Sequence, residues 1–248
     1  MKARNHAILL CVTAIAILTC AKTSAWATSW AASTDELTSP SFLASHSVGV
    51  FRGTVVSIDY RTVATPSGGS YAYTIVRFTV TEQYAGSDTG REKIIYVAGG
   101  QNGERRQAIA GAPSFNVDDD VVVFEGSSNH WLFGSSFGMH GVFRFIKGET
   151  DLIVLNNNGF PVTAINNANI SVKEDYRCEL SLDRKHCDAW TSADALDTKT
   201  TKELEPMLVN ATDFENDIRD IAKNTALAPS RPLSGTEFVE FLKHFVAN

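Results

Sequence analysis

Between Val48 and Tyr84 the chain carries two long runs of β-branched and aromatic residues, separated by the break Pro66-Ser67-Gly68-Gly69. Such residues pack well on a pleated surface and lose rotamer freedom in a helix. The first run, Val48 to Tyr60, reads as a long strand in which Gly49 and Gly53 mark a bulge or bend. The second, Tyr71 to Tyr84, alternates Tyr73, Ile75, Arg77, Thr79 and Thr81 against Thr74, Val76, Phe78 and Val80. Period-two alternation puts one set on each face, and the second set has the better claim to the core.

Shorter runs follow at regular spacing. Lys93 to Ala98, Val121 to Glu125, His130 to Phe133, Val142 to Ile146 and Leu152 to Leu155 all read as strands. Glycine and asparagine clusters separate them, at Ala85 to Gly90, Gly126 to Asn129, Gly134 to Gly141 and Asn156 to Gly159. Short strands with turn signals between them predict an antiparallel OB-like β-barrel, with a β-sandwich as the alternative. Helical patterning enters before and after this block. Ser39-Pro40 predicts one turn with Pro40 in the first helical position and Phe42, Leu43 and His46 on one side. A helix is expected around 193–208. The sequence Thr212 to Glu215 reads as a capping box followed by Phe214, Ile218 and Ile221 at helical spacing. Ser234 to Glu237 reads as a second box. It opens the apolar stripe Phe238, Phe241, Leu242, Phe245 and Val246, which is expected to dock on the barrel or a neighbouring helix, with binding of a partner protein as the alternative.

The N-terminus specifies location. Lys2 and Arg4 precede an apolar stretch from Ala7 to about Leu18, and Ala25-Trp26-Ala27 is a small-x-small cleavage site. This is the layout of a secretory signal peptide, and the apolar stretch is too short to cross a bilayer. The expected location is secreted or periplasmic. A lipid anchor at Cys20 is the minor alternative, which Thr19 disfavours. Cleavage after Ala27 removes three basic residues and no acid. It takes the formal net charge from −6 for all 248 residues to 19 basic minus 28 acidic, or −9. A chain so acidic repels phosphate backbones, so no nucleic-acid partner is expected. No later apolar run reaches membrane-spanning length, so no transmembrane anchor is expected in the mature chain. Two cysteines, Cys178 and Cys187, remain after cleavage and predict one short-range disulfide in an oxidising compartment. The resulting division is a signal peptide over 1–27, an N-terminal segment over 28–47, an OB-like barrel over 48–165, a disulfide-containing connection over 166–192 and a helical segment over 193–248.

The barrel block carries recognisable strand and turn motifs. They are Phe51 to Val56, Phe78 to Gly86, Gly99-Gly100, Gly111 to Phe115, Val117 to Phe124 and Gly141 to Phe145. This pattern resembles a group of exported bacterial proteins of unassigned function. More loosely, it resembles the OB-type barrel of the netrin-like domain in tissue metalloproteinase inhibitors. The resemblance covers about 100 residues and implies fold rather than activity. Those inhibitors act through an N-terminal cysteine, and the mature N-terminus expected here is Thr28. Protease inhibition therefore stands only as an analogy of fold.

No residue set commits the chain to catalysis, and no cofactor or metal is expected. Gly134-Ser135-Ser136-Phe137-Gly138 matches the Gly-x-Ser-x-Gly nucleophile pattern, but that motif needs a helix after it and Val142 to Phe145 reads as a strand. A hydrolase using Ser136 is the alternative reading. A metal site assembled by folding is another, because His46, His130, His140, His186 and His244 lack any zinc-motif spacing. Asp118-Asp119-Asp120 is better suited to a turn than to calcium, which takes alternating oxygen ligands and a glycine bend. The stretch Gly99 to Gly111, with Arg105 and Arg106, is expected to be a binding loop on a rigid barrel. Tyr71, Tyr73 and Trp131 are the aromatic candidates for ligand contact, and a protein or glycan outside the cytoplasm is the expected partner.

Overall fold

The computed structural model describes residues 39–64, 68–87, 90–126, 134–135, 138–148, 152–173, 176–178, 186–189, 198–200, 208–228 and 234–245. The signal-peptide residues Ala25 and Ala27, Cys20, Trp131, His130 and Ser136 lie outside them. The fold is mainly β with a helical C-terminal part. Its centre is one antiparallel sheet of six strands. These are β1 (Ser47–Ala64), β2 (Ser70–Gly86), β3 (Glu92–Ala98), β6 (Asp120–Gly126), β7 (Val142–Lys147) and β8 (Leu152–Asn156), in the order β3-β2-β1-β6-β7-β8. The expected binding loop instead contains a small hairpin of β4 (Gly100–Asn102) and β5 (Arg105–Gln107). β9 (Val162–Ile165) pairs with β10 (Ile170–Val172), and β11 (Tyr176–Cys178), β12 (His186–Ala189) and β13 (Thr198–Thr200) form a separate three-stranded sheet.

Among the described residues three helices frame this sheet. α1 (Pro40–Ser45) begins as expected, with Ser39 Oγ accepting from the Phe42 amide at 3.3 Å and Pro40 in the first turn. α2 (Ala211–Asn224) starts ahead of the expected box. Asn210 is its cap and accepts from the Asp213 amide at 2.8 Å. Glu215 is drawn away from the helix start, toward Arg52 at 2.8 Å and the Tyr84 hydroxyl at 2.5 Å. α3 (Gly235–Phe245) opens with the predicted box, Ser234 Oγ and the Ser234 amide both donating to Glu237 Oε2. The helix expected around 193–208 is not what the described part of that stretch forms. Thr198–Thr200 is strand β13, which its two β-branched threonines favour and its pairing with β12 fixes.

Bulges let the long β1–β2 ribbon coil. Register shifts fall between Val50 and Phe51, Arg52 and Gly53, and Val55 and Ser57. A Cβ on Gly53 would sit 2.8 Å from the Thr79 carbonyl oxygen, so only glycine tolerates this approach. The extent of coiling can be read from one ion pair. Lys93 on β3 and Glu125 on β6 are three strand spacings apart, about 14 Å in a flat sheet. Their registers also differ by about six residues, on the order of 20 Å along the strands. Yet Lys93 Nζ donates to Glu125 Oε2 at 2.6 Å. The sheet must curl to allow this. The edge strand β3 and the end of β6 beyond its pairing with β7 meet across residues 134 and 135. Ser135 pairs with Glu125, while a Cβ on Gly134 would lie 2.9 Å from that of Ile95 on β3.

The curled sheet separates two cores. Phe51, Val55, Val76, Phe78, Ile95, Val121 and Val123 fill the concave side, closed by Phe115. Val50, Tyr84, Val122, Phe124, Phe143 and Phe145 face outward and are covered by Leu43 of α1 and by Phe214, Ile218 and Ile221 of α2. Of the predicted inner set on β2, Val76 and Phe78 are fully buried, while Thr74 and Val80 are partly exposed. A third, smaller cluster holds α3 against the sheet through Phe238, Leu242, Val63 and Ala98.

Candidate functional site

A polar-lined space arises where the chain leaves β3. Gly99 and Gly100 take φ angles of 90° and 136°, which L side chains rarely adopt. A Cβ on Gly100 would lie 2.5 Å from Thr74 Oγ1 and 2.9 Å from Tyr60 Cδ1. The Tyr60 ring therefore rests on bare backbone. From Gly100 the β4–β5 hairpin continues with β4 beside β1 and β2, turning at Gly103 with φ 60°. Its base is stapled to β2. Thr74 Oγ1 donates to the Gly99 carbonyl at 2.8 Å, and Gln107 Oε1 accepts from the Ala72 amide.

The opposite wall is the loop from Ala112 to Asn116, and buried polar side chains hold it. Asn157 Oδ1 accepts from the Ser114 amide at 2.9 Å, and Asn157 Nδ2 returns a bond to the Ser114 carbonyl at 3.1 Å. Arg144 Nη2 donates to the same carbonyl at 2.9 Å and to Asp119 Oδ2 at 2.8 Å. Asp119 Oδ2 also accepts from the Asn116 amide at 2.6 Å. The aspartate triplet thus divides its labour. Asp118 takes the left-handed turn conformation at φ 71°, Asp119 anchors the loop, and Asp120 pairs with Arg52 at 2.5 Å. The turn reading of these residues agrees with that geometry.

Between hairpin and loop lies a cavity of about 840 Å³. That is within the range of small-molecule sites, roughly 300–1,000 Å³. Ile58, Val97, Ile109 and Phe115 give it an apolar floor, and Gln101, Glu104, Arg105 and Arg106 line its polar side. Arg105 and Arg106 are exposed, and among the described residues neither guanidinium has a side-chain hydrogen bond or an acid partner. Tyr60 is 48 % exposed at the same opening.

The structure therefore gathers Arg105 and Arg106 at one site and places Tyr71 and Tyr73 elsewhere. Tyr73 packs on Phe238 of α3 with ring centroids 5.7 Å apart, and Tyr71 lies in the same helix-covered cluster, where burial raises the pKa of its phenol. Tyr60 was not singled out from sequence because it sits in a strand run like any other aromatic. The available signal was Gly99-Gly100, a glycine pair that announces a close neighbour without saying which one. Cys178 and Cys187 stand directly opposite one another as Cα partners in the β11–β12 pair.

A second polar cluster serves the fold. The Arg52 guanidinium lies between Asp120 and Glu215 and 4.2 Å over the Phe145 ring. The bond to Asp120, opposed by burial and aided by Glu215, raises its already high pKa. Burial first, then the bond to Glu215, pushes the Tyr84 phenol above its ordinary range. Arg219 of α2 reaches Glu82 at 2.7 Å. These contacts tie α2 to β1 and β2.

Around the nucleophile-like sequence, Ser135 is fully buried and its hydroxyl donates to the Gly138 carbonyl at 2.8 Å. A single 3₁₀ turn, Gly138–Gly141, then runs directly into β7, and the nucleophile elbow needs a longer helix there. His140 in that turn has its pKa lowered by burial and so is neutral near pH 7. Among the described residues no three His, Cys, Asp or Glu side chains gather to hold a metal, and no helix is long and apolar enough to cross a membrane. Searches of protein-family models, curated proteins and solved structures find no match to this chain.

Proposed function

We propose that this chain is an exported, non-enzymatic binding module whose ligand, a protein or glycan outside the cytoplasm, is held between the β4–β5 hairpin and the Ala112–Asn116 loop. The observation that carries this reading is the cavity of about 840 Å³ with two arginines that have no acid partner among the described residues and an exposed tyrosine at its mouth. Both walls are hydrogen-bonded to a rigid sheet, so the site is preorganised, which lowers the entropy lost on binding. The N-terminal layout of Lys2, Arg4, the apolar stretch and Ala25-Trp26-Ala27 supports export.

Affinity capture tests the reading. Mature protein beginning at Thr28 is immobilised and exposed to the extracellular fraction of its source, in parallel with R105E/R106E. The expected result is a partner retained by the native chain and lost by the variant. Equal retention by both, or none by either, would refute the groove as the binding site.

Oxidation of Cys178 and Cys187 to a disulfide belongs to the same proposal. Directly opposed residues of an antiparallel pair have Cα atoms about 4.5–5.5 Å apart, inside the range a disulfide spans. Purified mature protein should show no free thiol under denaturing conditions until reductant is added, and two afterwards. Reduction should cost roughly 2–3 kcal/mol on the chain-entropy model. Thiols that titrate without reductant would reject the bridge.

A further inference from the structure

We propose that the ligand of this groove is an acidic glycan, a short oligosaccharide bearing carboxylates of the uronate type. The inference rests on the binding reading above and gives its ligand a chemical class.

Charge is the first argument. The chain carries a formal net charge of −6, yet the cavity lining holds two arginines against one acid, Glu104. Of the eight arginines whose side chains are described, four are committed, and Arg61 and Arg91 stand exposed away from the cavity without an acid partner among the described residues. Arg52, Arg77, Arg144 and Arg219 all have carboxylate partners within 4.0 Å. Arg105 and Arg106 have none among the described residues. Leaving neighbouring guanidiniums unpaired at a cavity in an otherwise acidic molecule fits an anionic ligand. The planar fork of arginine suits a carboxylate, which it can meet with two parallel hydrogen bonds.

The aromatic geometry is the second argument. Tyr60 is preset, with Gly100 against its ring and nearly half its surface open. A ring held this way offers a flat apolar face with little rotamer entropy left to lose. A pyranose has a complementary face of C–H bonds and a rim of polar groups. The floor and mouth of the cavity repeat that division, with Ile58 and Phe115 below and Gln101 and the arginines at the edge.

An acidic peptide fits less well. Strand addition draws its affinity from main-chain pairing along an exposed edge. The strand at this groove, β5, is three residues long, and its last residue, Gln107, is already bonded to β2. The side-chain chemistry at the mouth therefore has to supply recognition, and it is the chemistry of a sugar acid.

Calorimetric titration of the mature protein settles the matter with three probes: tetragalacturonate, its fully methyl-esterified and hence neutral counterpart, and tetraglutamate. We expect tetragalacturonate to bind, the ester to bind at least tenfold more weakly, and tetraglutamate to bind no better than the ester. R105Q, R106Q and Y60A should each weaken tetragalacturonate at least tenfold. K147Q, which removes an exposed charge from the end of β7, should leave its affinity unchanged. All four changes are at exposed side chains, and unchanged thermal midpoints confirm that the variants fold. Equal binding of acid and ester, preference for tetraglutamate, or no binding of tetragalacturonate would each overturn the acidic-glycan inference. Groove-dependent capture alongside any of those results would leave the binding site standing and reject only the ligand class.

Discussion

Asp119→Ala is expected to destabilise the protein by about 3–5 kcal/mol, the cost of leaving a buried charge without its partner. Arg144 is 1 % exposed and Asp119 2 %. Among the described residues, Asp119 is the carboxylate that neutralises Arg144, and Arg144 Nε and Nη1 already lack hydrogen-bond partners. Removing the acid strands the guanidinium with the Ser114 carbonyl alone. The same change removes the bond from the Asn116 amide to Asp119 Oδ2, so it also loosens the wall of the candidate groove. At 2–4 °C per kcal/mol for a chain of this size, the thermal midpoint should fall by roughly 6–20 °C. The double variant D119L/R144M removes both charges and should recover most of that loss, because a buried ion pair is often no better than a well-packed apolar pair. Denaturant titration of both variants decides the point. If D119A alone costs less than about 1 kcal/mol, the assignment of Asp119 as the compensating charge fails.

How legible these features were depended on the range of the interactions behind them. Local signals read correctly. The Ser39 cap and the Ser234–Glu237 box each depend on neighbours a few residues away, and each forms as the residues predict. The start of α2 did not read correctly, because two caps compete there. Thr212 with Glu215 and Asn210 with Asp213 both have capping spacing, and the choice falls to Asn210. Glu215 is held by Arg52 and Tyr84, residues more than a hundred positions away that no local pattern contains. The same limit applies to the tyrosines. Tyr60, Tyr71 and Tyr73 are alike as strand residues, and what separates them is that α3 lands on the last two. The hairpin within residues 99–111 was hidden by its length, since three-residue strands give period-two patterning too few positions to show.

The second large effect concerns the curl of the sheet. Lys93→Met should cost about 3–5 kcal/mol by leaving Glu125 buried and unpaired. Both residues are almost fully buried, at 6 % and 5 % exposure. Glu125 has little freedom to reach water. A Cβ on Gly49 would come within 3.0 Å of its Oε2, so the carboxylate is packed against β1 backbone on that side. Lys93 is fixed as well, with Nζ 5.2 Å from the centre of the Phe51 ring. The pair joins strands that a flat sheet would hold far beyond the reach of these side chains, so its coupling energy reports the curl itself. A double-mutant cycle over K93M, E125L and K93M/E125L isolates that term. Curling predicts strong coupling, with each single variant losing several kcal/mol and the double variant regaining most of it. An open sheet would let both side chains reach solvent, and exposed pairs couple by no more than about 1 kcal/mol. A coupling that small would remove the basis for the curled sheet, and with it the rigid base on which the β4–β5 hairpin and the groove depend.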